Sequence, residues 1–150
     1  WDEFKFINNS LKGISILSEI FHKIIIVTNQ RGVGRKLMTE DQLNVIHDQM
    51  IGKIVLAGGR IDEILYCPDI SEDSQDRKPN IGMGLKAKLK YPTIDFKKSI
   101  MIGDSYSDLE FGHKLGMKTF LISNHNNDLN KQVFKSLFEV SKYLRQINNI

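Results

Sequence analysis

Residues 24–35, IIIVTNQRGVGR, decide the fold. Ile24 to Val27 form a continuous β-branched run behind Lys23, the pattern of a strand buried on both faces rather than one. The run does not end in an ordinary turn. It ends in Thr28-Asn29-Gln30, a hydroxyl and two amides, and then a loop with glycines at 32 and 34. A strand buried on both faces needs helices above and below it, so the flanking segments should alternate between helix and strand.

They alternate. Lys12–Phe21 carries Ile14, Leu17, Ile20 and Phe21 at helical spacing. Thr39-Glu40-Asp41-Gln42 reads as a capping box opening a helix with Leu43, Ile46, Met50, Ile51, Ile54 and Val55 on one stripe, stopped by Gly58-Gly59. Ile61–Cys67 reads as a strand, Pro68–Asn80 as a polar loop, Gly84–Lys90 as a short helix, and Ser99–Ile102 as a strand closing at Gly103. Ser107-Asp108-Leu109-Glu110 reads as a second capping box, for a helix ending at Gly116, and Lys118–Ile122 as the last strand. Leu129, Val133, Leu137, Val140, Leu144 and Ile147 predict a C-terminal helical region. The expected fold class is α/β: a three-layer, Rossmann-like open parallel sheet with helices on both faces. The loops are short, so no large cap domain is expected.

The length of 150 residues fits a single domain over 1–150, and 41% hydrophobic with 26% charged residues is ordinary for a globular chain. No apolar run reaches the roughly 18–20 residues of a membrane span. The one cysteine, Cys67, excludes an internal disulfide framework and fits a reducing compartment, so a cytoplasmic location is expected. A net charge of +3 suits an anionic substrate without indicating nucleic acid. The sequence starts at Trp1 and its first methionine is Met38, from which an additional N-terminal segment is expected.

In open α/β sheets ligands bind beyond the carboxyl ends of the strands. That rule selects the residues after Thr28, Cys67 and Gly103. Thr28, Asn29, Gln30 and the glycine loop form a neutral donor array suited to phosphate oxygens, or else a polar turn that satisfies its own backbone. Asp104 and Asp108, one helical turn apart in IMIGDSYSDLEFG (100–112), offer hard oxygens suited to Mg²⁺, or else a turn cap and a helix-dipole partner. In DRKPNIGMG (76–84), Pro79 restricts Lys78 to extended conformations. Lys78 could then present a point charge to phosphate and Arg77 a bidentate fork, or else the two are an exposed basic pair. Together these groups supply the positioning and charge neutralisation that phosphoryl transfer needs. His22, His47, His113 and His125 share no ligand spacing, and packing or surface roles are expected for them.

Thr28 after an apolar strand, Lys78 in Arg-Lys-Pro, and Gly103-Asp104-x-x-x-Asp108 resemble the second, third and fourth motifs of the haloacid dehalogenase (HAD) superfamily. VTNQRGVGR, RKPNIGM and IGDSYSDLEFG resemble its heptose-bisphosphate and histidinol-phosphate phosphatase branch, and the resemblance covers nearly the whole chain. It implies Mg²⁺-dependent hydrolysis of a phosphomonoester through an aspartyl-phosphate. Thr28 would bind the transferring group, Lys78 would neutralise it, Asp104 and Asp108 would serve the metal, and Asn29, Gln30 and Arg77 would contact the substrate.

Two departures stand out. The family's first motif, Asp-x-Asp-Gly, carries the nucleophile, and no Asp-x-Asp occurs in this sequence. The resemblance therefore implies a further strand, lying between those that end at Thr28 and Gly103, carried by residues upstream of Trp1. Many members of the branch also hold a structural zinc through Cys-x-His and Cys-x-Cys. Cys67-Pro68-Asp69 and Ser74-Gln75-Asp76 are poor zinc chemistry, so no zinc is expected here. The expected partner is a small phosphorylated metabolite, with no membrane, and the expected state a monomer or small homo-oligomer. Two alternatives remain: a polynucleotide 3′-phosphatase, weakened by the lack of an aromatic-rich basic stripe, and a non-catalytic phosphate-binding domain.

Overall fold

The computed structural model describes residues 4–125 and 132–148. In chain order the elements are α1 (Ser10–Ile20), β1 (Ile25–Asn29), α2 (Arg31–Gly34), α3 (Glu40–Leu56), β2 (Glu63–Cys67), α4 (Gly82–Lys90), β3 (Ile100–Gly103), α5 (Tyr106–Leu115), β4 (Lys118–Ile122), β5 (Val133–Phe134) and α6 (Leu137–Asn148). A 3₁₀ turn at Phe96–Lys98 precedes β3. All strand pairs are parallel, with Ile25 opposite Glu63, Ile100 opposite Lys118 and Leu121 opposite Val133.

The strands form two sheets, β1-β2 and β3-β4-β5. Strand alternation sorts their side chains between two helical layers. On β4, Phe120 packs in a core with Leu17 of α1 and Val140 and Leu144 of α6, joined by Ile100 and Ile102 of β3. The opposite face carries α5, where Gly112 lies against Thr119 and Met101. α4 packs on β1 and β2, and its Gly84 meets Leu115 and Phe111 of α5. The two layers are thus α1 with α3 and α6, and α4 with α5.

Local chemistry explains the boundaries. Thr39 and Gln42 form the expected capping box, each side chain bonded to the other's backbone N–H. The second box is displaced from the expected position: Ser105, not Ser107, is the N-cap of α5, and Asp108 is its third helical residue. The Asp108 carboxylate accepts from the Ser105 N–H, which settles the register. α5 stops at Gly116, whose φ of 79° only glycine adopts without strain. The predicted C-terminal helix is shorter than expected. Val133 lies in β5, because a two-residue strand pairing with Leu121 and Ile122 leaves no periodic signal; Leu129 lies outside the described residues.

One polar knot ties α1 to β1 and β2. Arg60 donates to the carbonyls of Ser18 (2.6 Å) and Phe21 (2.5 Å), which the end of α1 leaves without helical partners. Its Nε meets Asp62 at 3.1 Å, and Asp62 accepts from the Ile24 N–H at 2.7 Å.

α1 and α6 approach closely at Gly13, where a Cβ would lie 3.1–3.2 Å from the backbone of Leu137 and Phe138. Backbone cannot step aside as a side chain does. Gly13→Ala should therefore lower the unfolding free energy by about 1–3 kcal/mol in urea titration. A stability equal to or above that of the parent would show that the two helices have slack.

Candidate active site

The carboxyl ends of β1 and β3 are joined by one lysine. Lys78 Nζ lies 2.5 Å from Asp108 Oδ1, and the two side chains are 10% and 7% exposed. The other Asp108 oxygen accepts from the Ser105 N–H (3.2 Å) and hydroxyl (2.9 Å), so both oxygens are in use. Gly103 makes room for this: a Cβ there would overlap the Asp108 carboxylate. Asp104 differs. It is exposed at the end of β3, and no hydrogen bond or ion pair found among the described residues uses its carboxylate.

At the end of β1, Gln30 Nε2 donates to Thr28 Oγ1 at 3.0 Å, orienting the hydroxyl. Asn29 turns toward the other loop, bonding the backbone of Lys78 at both N–H and C=O. Arg77 is also directed inward: it is 5% exposed, and its Nη1 donates to the Ile70 carbonyl at 2.5 Å. The structure thus brings together Thr28, Asn29, Gln30, Lys78 and Asp108, with Asp104 beside them in sequence. It engages Arg77 within its own loop.

Sequence reasoning left open what orders residues 67–80. Asn80 Nδ2 bridges the carbonyls of Glu72 (3.0 Å) and Ser74 (2.8 Å). Ser74 donates to Asp69 at 2.5 Å and lies 3.6 Å from the Cys67 sulfur. Gly82 N–H reaches Gln75 O at 2.7 Å, and Lys86 pairs with Asp76. Gly34 in α2 sits so close to the Pro68 carbonyl that a Cβ would overlap it, so the loops after β1 and β2 are docked on each other. None of these pairings follows from a periodic pattern or a cap motif in the sequence. Among the described residues, no group of three or more His, Cys, Asp or Glu is placed to hold a metal.

The histidines stand apart from this cluster. His22, His113 and His125 are exposed, and His47 packs edge-on against Tyr66 at 5.9 Å. Partial burial there lowers the His47 pKa below its ordinary value, against an opposing pull from Asp48.

Parallel strands that end in a hydroxyl, a held lysine and an exposed carboxylate offer groups chemically suited to an anionic ligand. Residues 75–144 match the family described as HAD-hydrolase-like. The D-glycero-alpha-D-manno-heptose-1,7-bisphosphate 7-phosphatase of Photorhabdus laumondii is 30% identical over 156 residues, covering 95% of this chain and 85% of that protein. The histidine biosynthesis bifunctional protein HisB of Blochmanniella floridana is 35% identical over 136 residues, 89% of this chain but 37% of that longer protein. The crystal structure of a D,D-heptose 1,7-bisphosphate phosphatase from B. bronchiseptica, complexed with magnesium and phosphate, aligns with a TM-score of 0.86 at 28% identity. That alignment covers 97% of this chain and 87% of the other. The chain belongs to the HAD-like hydrolases, among their phosphatases. No described helix is long and apolar enough to cross a membrane.

Because Gly103 is the space Asp108 occupies, Gly103→Ala should push the carboxylate off Lys78 and cost about 1–3 kcal/mol of stability. A change within about 0.5 kcal/mol, the range of an ordinary surface substitution, would mean the start of α5 is free to move.

Proposed function

We propose that the protein is a Mg²⁺-dependent phosphomonoesterase that acts on a small sugar bisphosphate or histidinol phosphate through an aspartyl-phosphate. The observation that carries this reading is the nearly buried Lys78 ammonium, held by Asp108 where the loop from β2 meets the end of β1. A cation fixed in place neutralises the charge of a transferring phosphoryl group without reorganising when it arrives. Thr28, its hydroxyl oriented by Gln30, would bind the phosphoryl oxygens along with backbone N–H groups of the 30–34 loop.

The donor set suits magnesium, which binds through one or two carboxylates and keeps waters and phosphate oxygens as its other ligands. Asp104 would hold it, with Asp108 behind, since both Asp108 oxygens already accept hydrogen bonds. When bound, the ion would add its positive charge to that of Lys78 against a phosphate. Substrate selection would fall to Gln30 and the docked loops 30–38 and 67–80; Arg77 would serve by holding the second of these in shape.

The nucleophile we place on a further parallel strand between β1 and β3. Ile24 O and Gln30 N face β2, so alternation turns the peptide groups of Ile25, Val27 and Asn29 the other way. Ser99 O faces β4, which turns those of Ile100 and Ile102 away from it. Neither edge has a partner strand among the described residues, although parallel sheets are otherwise buried and paired. In a chain that carries such a strand the Val27 and Ile102 amides should exchange much more slowly with solvent than in residues 1–150 alone. Equally fast exchange in both would reject the inserted strand.

The direct test is phosphate release by the full-length gene product with Mg²⁺, from heptose 1,7-bisphosphate and from histidinol phosphate. Turnover of either supports the reading; no release from any of a panel of sugar phosphates would overturn it. Lys78→Ala should cost about 10²–10³ in kcat/KM, the scale of a lost electrostatic contact to the transition state. Asp104→Asn should raise the Mg²⁺ concentration needed for half-maximal rate while leaving the unfolding midpoint unchanged. Unaltered Mg²⁺ dependence would remove Asp104 from the metal site.

A further inference from the structure

The amide of Asn29 is committed to one neighbour. Its Oδ1 accepts from the Lys78 N–H at 2.9 Å, and its Nδ2 donates to the Lys78 carbonyl at 3.1 Å. Only one orientation of the amide satisfies both bonds, so its O and N are assigned by the network. The side chain thereby bonds Lys78 as a neighbouring strand would, joining the end of β1 to a loop 49 residues on. At the far end of the same lysine, Nζ meets Asp108, which Ser105 holds in turn. Lys78 is fixed at its backbone from β1 and at its ammonium from α5. A long, flexible side chain tied at both ends has given up much of its rotamer freedom before any ligand arrives.

We propose that Asn29 is a positioning residue: it sets the Lys78 backbone and, through it, the point at which the ammonium meets a phosphate. The proposal rests on the reading of Lys78 as the phosphate-neutralising cation. It separates Asn29 from Gln30, its neighbour in sequence, whose amide works on the Thr28 hydroxyl instead. A direct substrate contact and a positioning role predict different couplings. A contact acts on its own; a positioning residue acts only while Lys78 is there to be positioned.

The test is a double-mutant cycle on inorganic phosphate binding to the full-length gene product in Mg²⁺ buffer, read by isothermal titration. Asn29→Ala should weaken binding about tenfold, the loss expected from two ordinary hydrogen bonds acting through the lysine. In a Lys78→Ala background the same substitution should have no further effect. Equal losses in both backgrounds make Asn29 an independent contact and overturn the proposal. Two readouts need no phosphate. In the unmutated chain the Lys78 amide should be slow to exchange, and Lys78 should be acetylated by acetic anhydride more slowly than exposed Lys114 and Lys118. In Asn29→Ser, whose side chain is too short to span the Lys78 backbone, labelling of Lys78 should speed up while Lys114 and Lys118 stay unchanged. A fast Lys78 amide in the unmutated chain, or unchanged labelling in the variant, overturns the clamp. If the unmutated chain binds no phosphate, the phosphate reading fails alone, and exchange and labelling still decide the role of Asn29.

Discussion

The contact between Lys78 and Asp108 is the interaction around which the carboxyl ends of the strands are arranged. Both side chains are nearly buried, and removing charges from water costs several kcal/mol for each ion before any attraction repays it. Such a pair is tolerated only when the remaining polar capacity is met. Ser105 meets it on the acid, with two bonds to the second oxygen, and Gly103 removes the one atom that would keep the carboxylate away. The cost is recovered in placement. A lysine held at this depth is a fixed charge, whereas an exposed one is a mobile, well-hydrated one.

From that pair the constraint spreads into both loops. Lys78 is anchored to β1 by Asn29, and the segment before it is closed by Arg77 on Ile70, by Asn80 across Glu72 and Ser74, and by Ser74 on Asp69. The Arg77 and Asn80 bonds are side chains satisfying backbone carbonyls, which is how a loop without regular structure avoids leaving polar groups unmet, while Ser74 and Asp69 satisfy each other. Gly34 then lets the loop after β1 press on Pro68. The surfaces that would face a substrate are therefore one docked unit rather than two independent loops.

Away from the site, the helices do the joining. α1 and α6 share the core around Phe120 and Val140, and α4 meets α5 across the other face. β1-β2 and β3-β4-β5 are separate as hydrogen-bonded sheets, so packing between helices and the polar bridge through Lys78 hold them in one molecule. Apolar contact is non-directional and tolerates this arrangement; the ladder, which requires a strand in register, does not extend across it.

Much of this was legible in the residues. The apolar run 24–27, the Thr39 capping box and the Gly116 stop are local signals, because strand burial, caps and left-handed turns are decided within a few residues. The positions of Thr28, Lys78 and Asp104 followed from the rule that places ligands at strand ends. What only the tertiary structure decided is which polar group each of these side chains pairs with. Asn29 and Arg77, read as substrate-facing, have polar groups engaged by the Lys78 backbone and the Ile70 carbonyl; Asp108, read as a metal partner, holds a lysine. A hydrogen-bonding side chain announces that it needs a partner, but which partner lies within 3 Å is set by how the chain packs. The sequence by itself therefore determined where the polar groups would gather, and the tertiary structure decided which of them hold one another and which are left free for a ligand.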